Sequence, residues 1–245
     1  MIIHSDIKGL EVVTAGYLSQ DPILCDEIRN GKDFHADNQA RFGLPNRTIA
    51  KVFVFKLIYG ATDWGYANDS DFMDVSTNVK FWTDIIEEFY NKYPGIAKWH
   101  NEIVQTVMRT GFLTMPTGRV FTYPQSDVIQ KMWYWRPKIL NYPVQGTGAD
   151  LVCIARVTAD KRLRAAKLPV KWLWQSTVHD SMDIDYDHRL DKDLEMCYTI
   201  AKIIKESIED VPQNFYRLFG KEFNLPFMAD IGYGMNLTEL TPIKL

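Results

Sequence analysis

Two aspartates, each at the end of an apolar strand-like run, constrain the fold of this chain more than any other feature. Met1–Ile7 is a short β-rich run that contains Asp6, and Trp172–Tyr186 reads as two strands folded about His179-Asp180. Most of the sequence between them has helical periodicity. Strands at both ends and helices in the middle predict an α+β fold, with one sheet layer that receives a helical insertion.

Capping and turn residues place the remaining elements. A hairpin is expected over Gly111–Tyr123 and a final strand over Leu225–Met235. The predicted helices cover Leu10–Leu18, a segment from Pro22 capped by Asp21, Arg47–Tyr59 capped by Asn46, Asp74–Asn91, Ile96–Arg109, Asp150–Ala166 and Leu190–Val211.

The composition is that of an ordinary globular protein. The 245 residues are 46% apolar and 24% charged, and we expect one large domain or two small ones. No apolar run is long enough to span a bilayer, so no membrane partner is expected. The three separated cysteines indicate reduced thiols. These features predict a cytoplasmic protein, in the host cytoplasm if the source is a virus.

Charge is unevenly distributed, although the net charge is only −3. Residues 29–56 carry six Lys or Arg against two Asp, whereas residues 183–210 carry nine acids against four bases. A basic middle segment can follow a phosphate backbone. The alternative is an ordinary solvated face, and by charge alone we favour that interpretation.

The predicted helix Arg47–Tyr59 has the most informative pattern. Arg47, Lys51, Phe55 and Tyr59 recur every four residues, so they form one stripe that grades from two cations to two aromatic rings. A triphosphate at one end and a base at the other match that grading. An amphipathic surface helix is the simpler alternative, but it fits poorly because the other faces of this helix are also apolar.

The order of these motifs resembles the A-family (DNA polymerase I-like) DNA polymerases, over nearly the whole chain. Phosphoryl transfer needs two carboxylates that share a pair of divalent metals, and cations that hold a polyphosphate. The matching segments are Ser5-Asp6-Ile7, Asp33-Phe34-His35, Arg47-x3-Lys51-x3-Phe55-x3-Tyr59-Gly60, Gly118-Arg119, Asn141–Asp150, Thr177-Val178-His179-Asp180 and Ala229–Asn236.

This resemblance implies a metal site and a nucleotide site. Asp6 and Asp180, with the backbone carbonyl of Ile7, would bind two Mg²⁺ ions, for which Mn²⁺ could substitute. Lys51 would be catalytic and would hold the triphosphate together with Arg47 and His35. The further nucleotide-binding residues implied are Phe55 and Tyr59, which border the base pair, and Glu11, which excludes the ribose 2′-hydroxyl.

The resemblance also implies contacts to primer–template DNA. Asn141, Gln145 and His179 would donate to minor-groove acceptors, whose pattern is nearly the same for every base pair. Arg119 would contact a template or primer phosphate.

The subdomains expected from the resemblance are a palm with an antiparallel sheet and an inserted helical fingers subdomain. The palm would comprise residues 1–20 and 131–245, and the fingers residues 21–130. Neither a thumb nor an exonuclease module matches this chain, so we expect a split polymerase whose thumb, perhaps with an exonuclease, is on a separate polypeptide. A phage-like source fits so compact a core.

Three departures from the family pattern keep alternative functions open. Lys56 stands where a glycine is usual, Pro137 where an arginine is usual, and Ser181 where a third carboxylate is usual. The leading prediction is a template-directed DNA polymerase core that uses dNTPs. The alternatives are a non-catalytic, polymerase-like DNA-binding subunit and a relative of single-subunit RNA polymerases, which Glu11 disfavours.

Overall fold

The computed structural model describes residues 1–125 and 134–245, and the chain divides into two compact units. The first unit comprises Met1–Leu10 and Thr147–Leu245, and the second comprises Glu11–Gly146. The predicted boundary between residues 130 and 131 lies outside the described residues. The division into palm and fingers therefore stays a prediction.

The described elements include strands near both ends of the chain and a mostly helical middle that also contains a short hairpin. In chain order they are β1 (Ile2–Ile7), α1 (Leu10–Ser19), α2 (Pro22–Arg29), α3 (Phe34–Phe42), α4 (Arg47–Ile58), α5 (Asp63–Ala67), α6 (Val79–Lys92), α7 (Pro94–Thr110), β2 (Phe112–Thr114), β3 (Val120–Thr122), α8 (Arg136–Ala166), β4 (Trp172–Val178), β5 (Ser181–Tyr186), a 3₁₀ turn (His188–Leu190), α9 (Glu195–Glu209), α10 (Val211–Phe219), β6 (Ala229–Gly234) and β7 (Thr241–Pro242).

The first unit is built on a five-stranded antiparallel sheet, in the order β4-β5-β1-β6-β7. The N-terminal strand β1 is thus central, between two strands from the far end of the chain. Ile3 and Ile7 of β1 are buried, as are Met182 and Ile184 of β5. Because residues opposite each other in an antiparallel pair share a face, these side chains form one apolar face. Helix α9 packs against β1 and β6.

The second unit is helical around an aromatic core. Phe53 of α4, Tyr66, Phe72 and Trp82 are buried, and each ring centroid lies 5.0–5.9 Å from at least two of the others. The Tyr66 hydroxyl donates to the Phe53 carbonyl oxygen at 2.6 Å, which satisfies a polar group that is otherwise buried. This core buries the inner side of α4.

Asp21 joins two helices of this unit. Its carboxylate accepts from Ile23 N and Leu24 N at the start of α2, which confirms it as the cap, and also from Gly95 N at the start of α7 at 2.6 Å. A Cβ at Gly95 would lie 2.6 Å from Asp21 Cα, so only glycine permits this approach. One buried carboxylate thus sets the relation between α2 and α7.

Four predicted elements have wrong boundaries. Helix α6 begins at Val79 with Asn78 as its cap, not at Asp74. Helix α8 begins at Arg136, far before the predicted Asp150, and includes Pro143. The predicted helix Leu190–Val211 is α9 alone, since a second helix starts at Val211, and the final strand is only Ala229–Gly234.

Candidate functional site

The first unit brings the backbones of Asp6 and Asp180 together. Asp6 on β1 lies opposite Ser181 of β5, and the Ile7 amide donates to the Asp180 carbonyl oxygen at 3.0 Å. Asp6 is exposed and Asp180 is half-buried. The sheet therefore places two acidic residues and the Ile7 peptide at one end of adjacent strands.

The turn that carries Asp180 has an unusual backbone. His179 and Asp180 are the only residues between β4 and β5, and His179 has φ +52°. A residue with a side chain pays a conformational cost in this left-handed region, and such outliers concentrate at functional sites. The exposed His179 side chain is thus held beside Asp180 by a turn that would favour glycine or asparagine.

Ser181 and Asp183 cannot supply a third exposed carboxylate. The Ser181 hydroxyl donates to the Val178 carbonyl oxygen at 3.0 Å. Asp183 is buried, where it accepts from the Ser176 hydroxyl and contacts His4 Nδ1 at 2.7 Å. The Asp183 carboxylate is therefore engaged within the sheet.

Asp230 is a neighbour of Asp6 that we did not predict as a site residue. It lies opposite Asp6 on β6 and contacts Lys8 Nζ at 2.7 Å. The signal was available in the sequence, because Asp230 belongs to the closing strand that matched the family. Within residues 1–125 and 134–245, no three or more His, Cys, Asp or Glu side chains are grouped to hold a metal ion.

In the second unit, α4 presents the predicted stripe as expected. Asn46 caps the helix by accepting from Ile49 N at 2.9 Å. Arg47 and Lys51 are exposed, and Phe55 and Tyr59 are half-buried. The opposite side of the helix, formed by Ala50, Phe53, Val54, Leu57 and Ile58, is fully buried.

His35 lies against this stripe. Its ring packs edge-on against Phe55 with centroids 5.3 Å apart, and its buried Nδ1 has no hydrogen-bond partner. Burial, and then the charges of Arg47 and Lys51, lower the pKa of His35 to about 4. The imidazole is therefore neutral at pH 7, and it sits where two cations and an aromatic ring converge.

Tyr59 joins two further predicted residues. Its hydroxyl accepts from Gln145 Nε2 at 2.5 Å. Burial, and then the negative charge of Glu11, raise the pKa of Tyr59 to about 12. Glu11, Tyr59 and Gln145 thus form one cluster, although they come from α1, the end of α4 and α8.

The hairpin β2–β3 lies against α8 beside this cluster. A Cβ on Gly146 would lie 2.5 Å from Phe121 Cζ and 3.1 Å from Arg119 Cδ, so the glycine allows the hairpin to approach. Arg119 is exposed, and Asn141 lies one turn before Gln145 on α8. Pro137 occupies the first turn of α8, where the missing amide donor costs nothing.

Several partners of the predicted residues were missed because they are distant in sequence. Asp33 pairs with Arg47, whose Nε lies 2.9 Å from Asp33 Oδ2. Lys56 is held by Asp69 and Asp71. A cation predicted from a motif does not reveal which acid the fold places beside it.

The described part of the chain contains no helix that is long and apolar enough to cross a membrane.

The first unit carries the predicted metal ligands and His179. The second unit carries Arg119, Asn141 and the predicted nucleotide ligands.

Comparison with known proteins supports the same family. DNA polymerase I of Lactococcus lactis subsp. lactis is 27% identical over 221 residues, which cover 86% of this chain and 24% of that protein. DNA polymerase I of Streptococcus pneumoniae is 24% identical over 245 residues, which cover 96% of this chain and 25% of that protein. The chain thus spans about a quarter of the length of these relatives.

A solved structure has the same fold. The POL domain of Pol1 from M. smegmatis, in complex with DNA primer-template and dNTP, aligns with a TM-score of 0.78 and 18% identity. The alignment covers 95% of this chain and 39% of that one. The family model described as DNA polymerase family A matches residues 1–239, so this chain belongs to DNA polymerase family A.

Proposed function

We propose that this chain is the catalytic core of a template-directed DNA polymerase, which adds dNTPs to a primer 3′-hydroxyl by two-metal nucleotidyl transfer. The observation that carries the proposal is the arrangement on α4. Two exposed cations, a neutral histidine with an unpartnered ring nitrogen and two aromatic rings line one stripe. That combination suits a nucleoside triphosphate.

The polar end of the stripe would bind the phosphates. Arg47 provides a planar guanidinium that can pair with two phosphate oxygens, and Lys51 provides a point charge. The Lys51 ammonium lies 5.5 Å from the centre of the Phe55 ring, which orients it along the stripe. Neutral His35 would donate one hydrogen bond to the same triphosphate.

The aromatic end would select the sugar and shape the base-pair pocket. Phe55 and Tyr59 offer flat apolar surface to a base. The Glu11 carboxylate is close enough to raise the pKa of Tyr59, which supports its assignment beside the sugar. Glu11 would crowd a 2′-hydroxyl and so favour dNTPs over NTPs, which argues against an RNA polymerase.

The end of the central sheet would bind the divalent metals. Carboxylate oxygens of Asp6 and Asp180, and the Ile7 carbonyl, are the hard oxygen ligands that Mg²⁺ prefers. When bound, two such ions supply the charge that activates a 3′-hydroxyl and stabilises the leaving pyrophosphate. Pairing of β1 with β5 keeps Asp6 beside the turn that carries Asp180, and the same oxygens would accept Mn²⁺.

The remaining predicted residues would contact primer–template DNA. Asn141, Gln145 and His179 carry side-chain donors suited to minor-groove acceptors, and exposed Arg119 suits a phosphate. A separate polypeptide that carries a thumb stays a prediction. Its test is the mass in solution of the chain with candidate partners, and the processivity of the resulting complex.

One observation favours a second candidate, a non-catalytic DNA-binding subunit. Ser181 replaces a carboxylate and donates to the Val178 carbonyl instead. Lys56 and Pro137 support this alternative less, because the former has acidic partners and the latter suits the start of a helix.

Primer extension with dNTPs, NTPs and Mg²⁺ tests the proposal. Asp180→Asn should reduce nucleotide addition more than tenfold, or over ~1.4 kcal/mol of transition-state stabilisation. The exposed Asp193, in the same unit, is the matched control, and Asp193→Asn should leave activity unchanged. Full single-turnover activity of Asp180→Asn would refute the two-aspartate assignment.

Lys51→Ala separates nucleotide binding from DNA binding. We expect the KM for dNTP to rise while the primer–template Kd changes little. Lys80→Ala, which removes an exposed lysine on α6, is the control. DNA binding by a wild-type chain that extends no primer would favour the non-catalytic subunit.

A further inference from the structure

Lys56 is the departure from the family pattern that the structure explains most fully. Its Nζ lies 2.6 Å from Asp69 Oδ2 and 2.8 Å from Asp71 Oδ2, and 5.2 Å from the centre of the Phe72 ring. The lysine side chain is one-third exposed. An α4 residue is thus tied by two charge-assisted hydrogen bonds to the segment between α5 and α6.

This segment, residues 68–78, has hydrogen bonds of its own. The Asp71 amide donates to Asp69 Oδ1 at 3.0 Å, and the Phe72 amide donates to the Asp69 carbonyl at 3.0 Å. Phe72 is completely buried in the aromatic core beside Tyr66. The two aspartates are therefore fixed anchors for the Lys56 ammonium.

Lys56 does not belong to the cationic stripe. At about 100° per residue, its side chain is turned about 140° from Lys51 and about 180° from Arg47. The hydrogen bond from Lys56 lowers the pKa of Asp69, which keeps that carboxylate charged. Two carboxylates already neutralise the ammonium, so it offers little attraction to a nucleic-acid phosphate.

Apolar packing alone leaves the orientation of α4 incompletely specified. Hydrophobic burial is non-directional, whereas hydrogen-bonded charges restrict how a helix can rotate or slide. The Lys56 carbonyl also accepts from Ala61 N at 2.8 Å, so the same residue closes the end of the helix. Lys56 thus connects α4 to its surroundings through both main chain and side chain.

We infer that Lys56, Asp69 and Asp71 form a clamp that orients α4, so that Lys51 and Phe55 face the nucleotide. Lys56 is thus a positioning residue, with no contact to substrate. This inference rests on the proposed nucleotide site on α4.

The experiment is a double-mutant cycle on the clamp. The variants are Lys56→Met, Asp69→Asn with Asp71→Asn, and all three together. Asparagine keeps the oxygen that accepts from the Asp71 amide. The readouts are the KM for dATP in primer extension and the primer–template Kd at several salt concentrations. Lys80→Met, which breaks the exposed pair with Asp84 on α6, is the matched control.

If the clamp orients α4, removing its lysine and removing its two carboxylate charges should change the KM for dATP in the same direction. Lys56→Met and the double Asn variant should each raise the KM for dATP roughly three- to tenfold, and the triple variant should be no worse than either. The primer–template Kd and its salt dependence should stay as in the wild type. The control should leave all of these values unchanged.

Opposite effects of the lysine and aspartate variants on DNA binding would overturn the inference. If Lys56 instead binds a phosphate, releasing it with the double Asn variant would tighten DNA binding, and Lys56→Met would weaken it. Additive increases in the triple variant would also exclude a clamp.

The design separates this inference from the proposed function. If the wild-type chain extends no primer, catalysis by this chain is refuted, and equilibrium binding of dATP replaces KM in the same cycle. Non-additive loss of dATP binding would still support the clamp. Failure of the wild type to bind dATP, or binding that no clamp variant changes, would refute the clamp. Urea unfolding of each variant verifies that the fold persists.

Discussion

Arg47 and Asp33 form a two-oxygen ion pair, with Arg47 Nε 3.1 Å from Asp33 Oδ1 and 2.9 Å from Oδ2. Asp33 also caps α3, because Oδ1 accepts from the amides of His35 and Ala36. The hydrogen bond from Arg47 lowers the pKa of Asp33. A triphosphate that binds Arg47 must therefore compete with an internal carboxylate.

Asp33→Asn should tighten nucleotide binding. Asparagine keeps the cap oxygen but removes the charge that neutralises Arg47. Because both side chains are about half exposed, we expect the KM for dNTP to fall only two- to fivefold, or about 0.4–1 kcal/mol. In an Arg47→Ala background the same change should have no effect on KM. A rise in KM caused by Asp33→Asn alone would contradict this competition.

Glu11→Ala should increase the use of ribonucleotides. The carboxylate lies beside Tyr59, and its loss leaves room for a 2′-hydroxyl. We expect the ratio of kcat/KM for a matched NTP and dNTP to rise at least tenfold, or about 1.4 kcal/mol. Glu102→Ala, an exposed glutamate on α7, should not change that ratio. An unchanged ratio in Glu11→Ala would remove Glu11 from the sugar site.

His35 should make stability depend on pH in the acid range. Its pKa falls from 6.5 to about 4 on folding, chiefly by burial, so the unfolded chain binds a proton that the folded chain does not. The free energy of unfolding should therefore decrease as the pH falls from 6.5 to 4. Urea titrations should show a shallower decrease for His35→Gln over this window. An identical slope would mean that His35 titrates normally.

Lys92 should be essential for stability although it is not one of the proposed nucleotide-binding residues. Its Nζ lies 3.0 Å from Glu27 Oε1, both side chains are at least nine-tenths buried, and Tyr93 donates to the same carboxylate. Lys92→Met leaves that charge buried and unpaired, which should cost about 3–5 kcal/mol in urea unfolding.

Two comparisons check that this cost arises from the buried charge. Lys92→Met combined with Glu27→Gln should recover part of the loss, because no unpaired charge then remains. Lys98→Met, which breaks an exposed pair with Glu102, should change stability by less than ~0.5 kcal/mol. Equal losses in Lys92→Met and Lys98→Met would contradict this account.

Local signals predicted local structure well. Asp21 and Asn46 cap the helices they were expected to cap, and the hairpin at His179-Asp180 closes where expected. Caps and tight turns depend on residues within one turn of each other, so the sequence contains all of the interaction.

The prediction failed where tertiary packing overrides local preference. Proline and glycine usually interrupt a helix, yet α8 continues through both Pro143 and Gly146. Gly146 is needed for the close approach of Phe121, a reason visible only in three dimensions. The long-range pairs were likewise hidden, since nothing near Lys56 in the sequence identifies Asp69 as its partner.

The number of residues in the turn at His179-Asp180 determines which side chains of β5 face the core. Ser181 pairs with Val178 immediately after the turn. Met182 and Ile184, which lie on one face of β5, are fully buried. One inserted or deleted residue here would move that whole strand to the wrong face of the sheet. A substitution in this hairpin can therefore leave the strand register unchanged, whereas a change in loop length would disrupt both the hydrophobic core and the pairing that brings Asp6 beside Asp180.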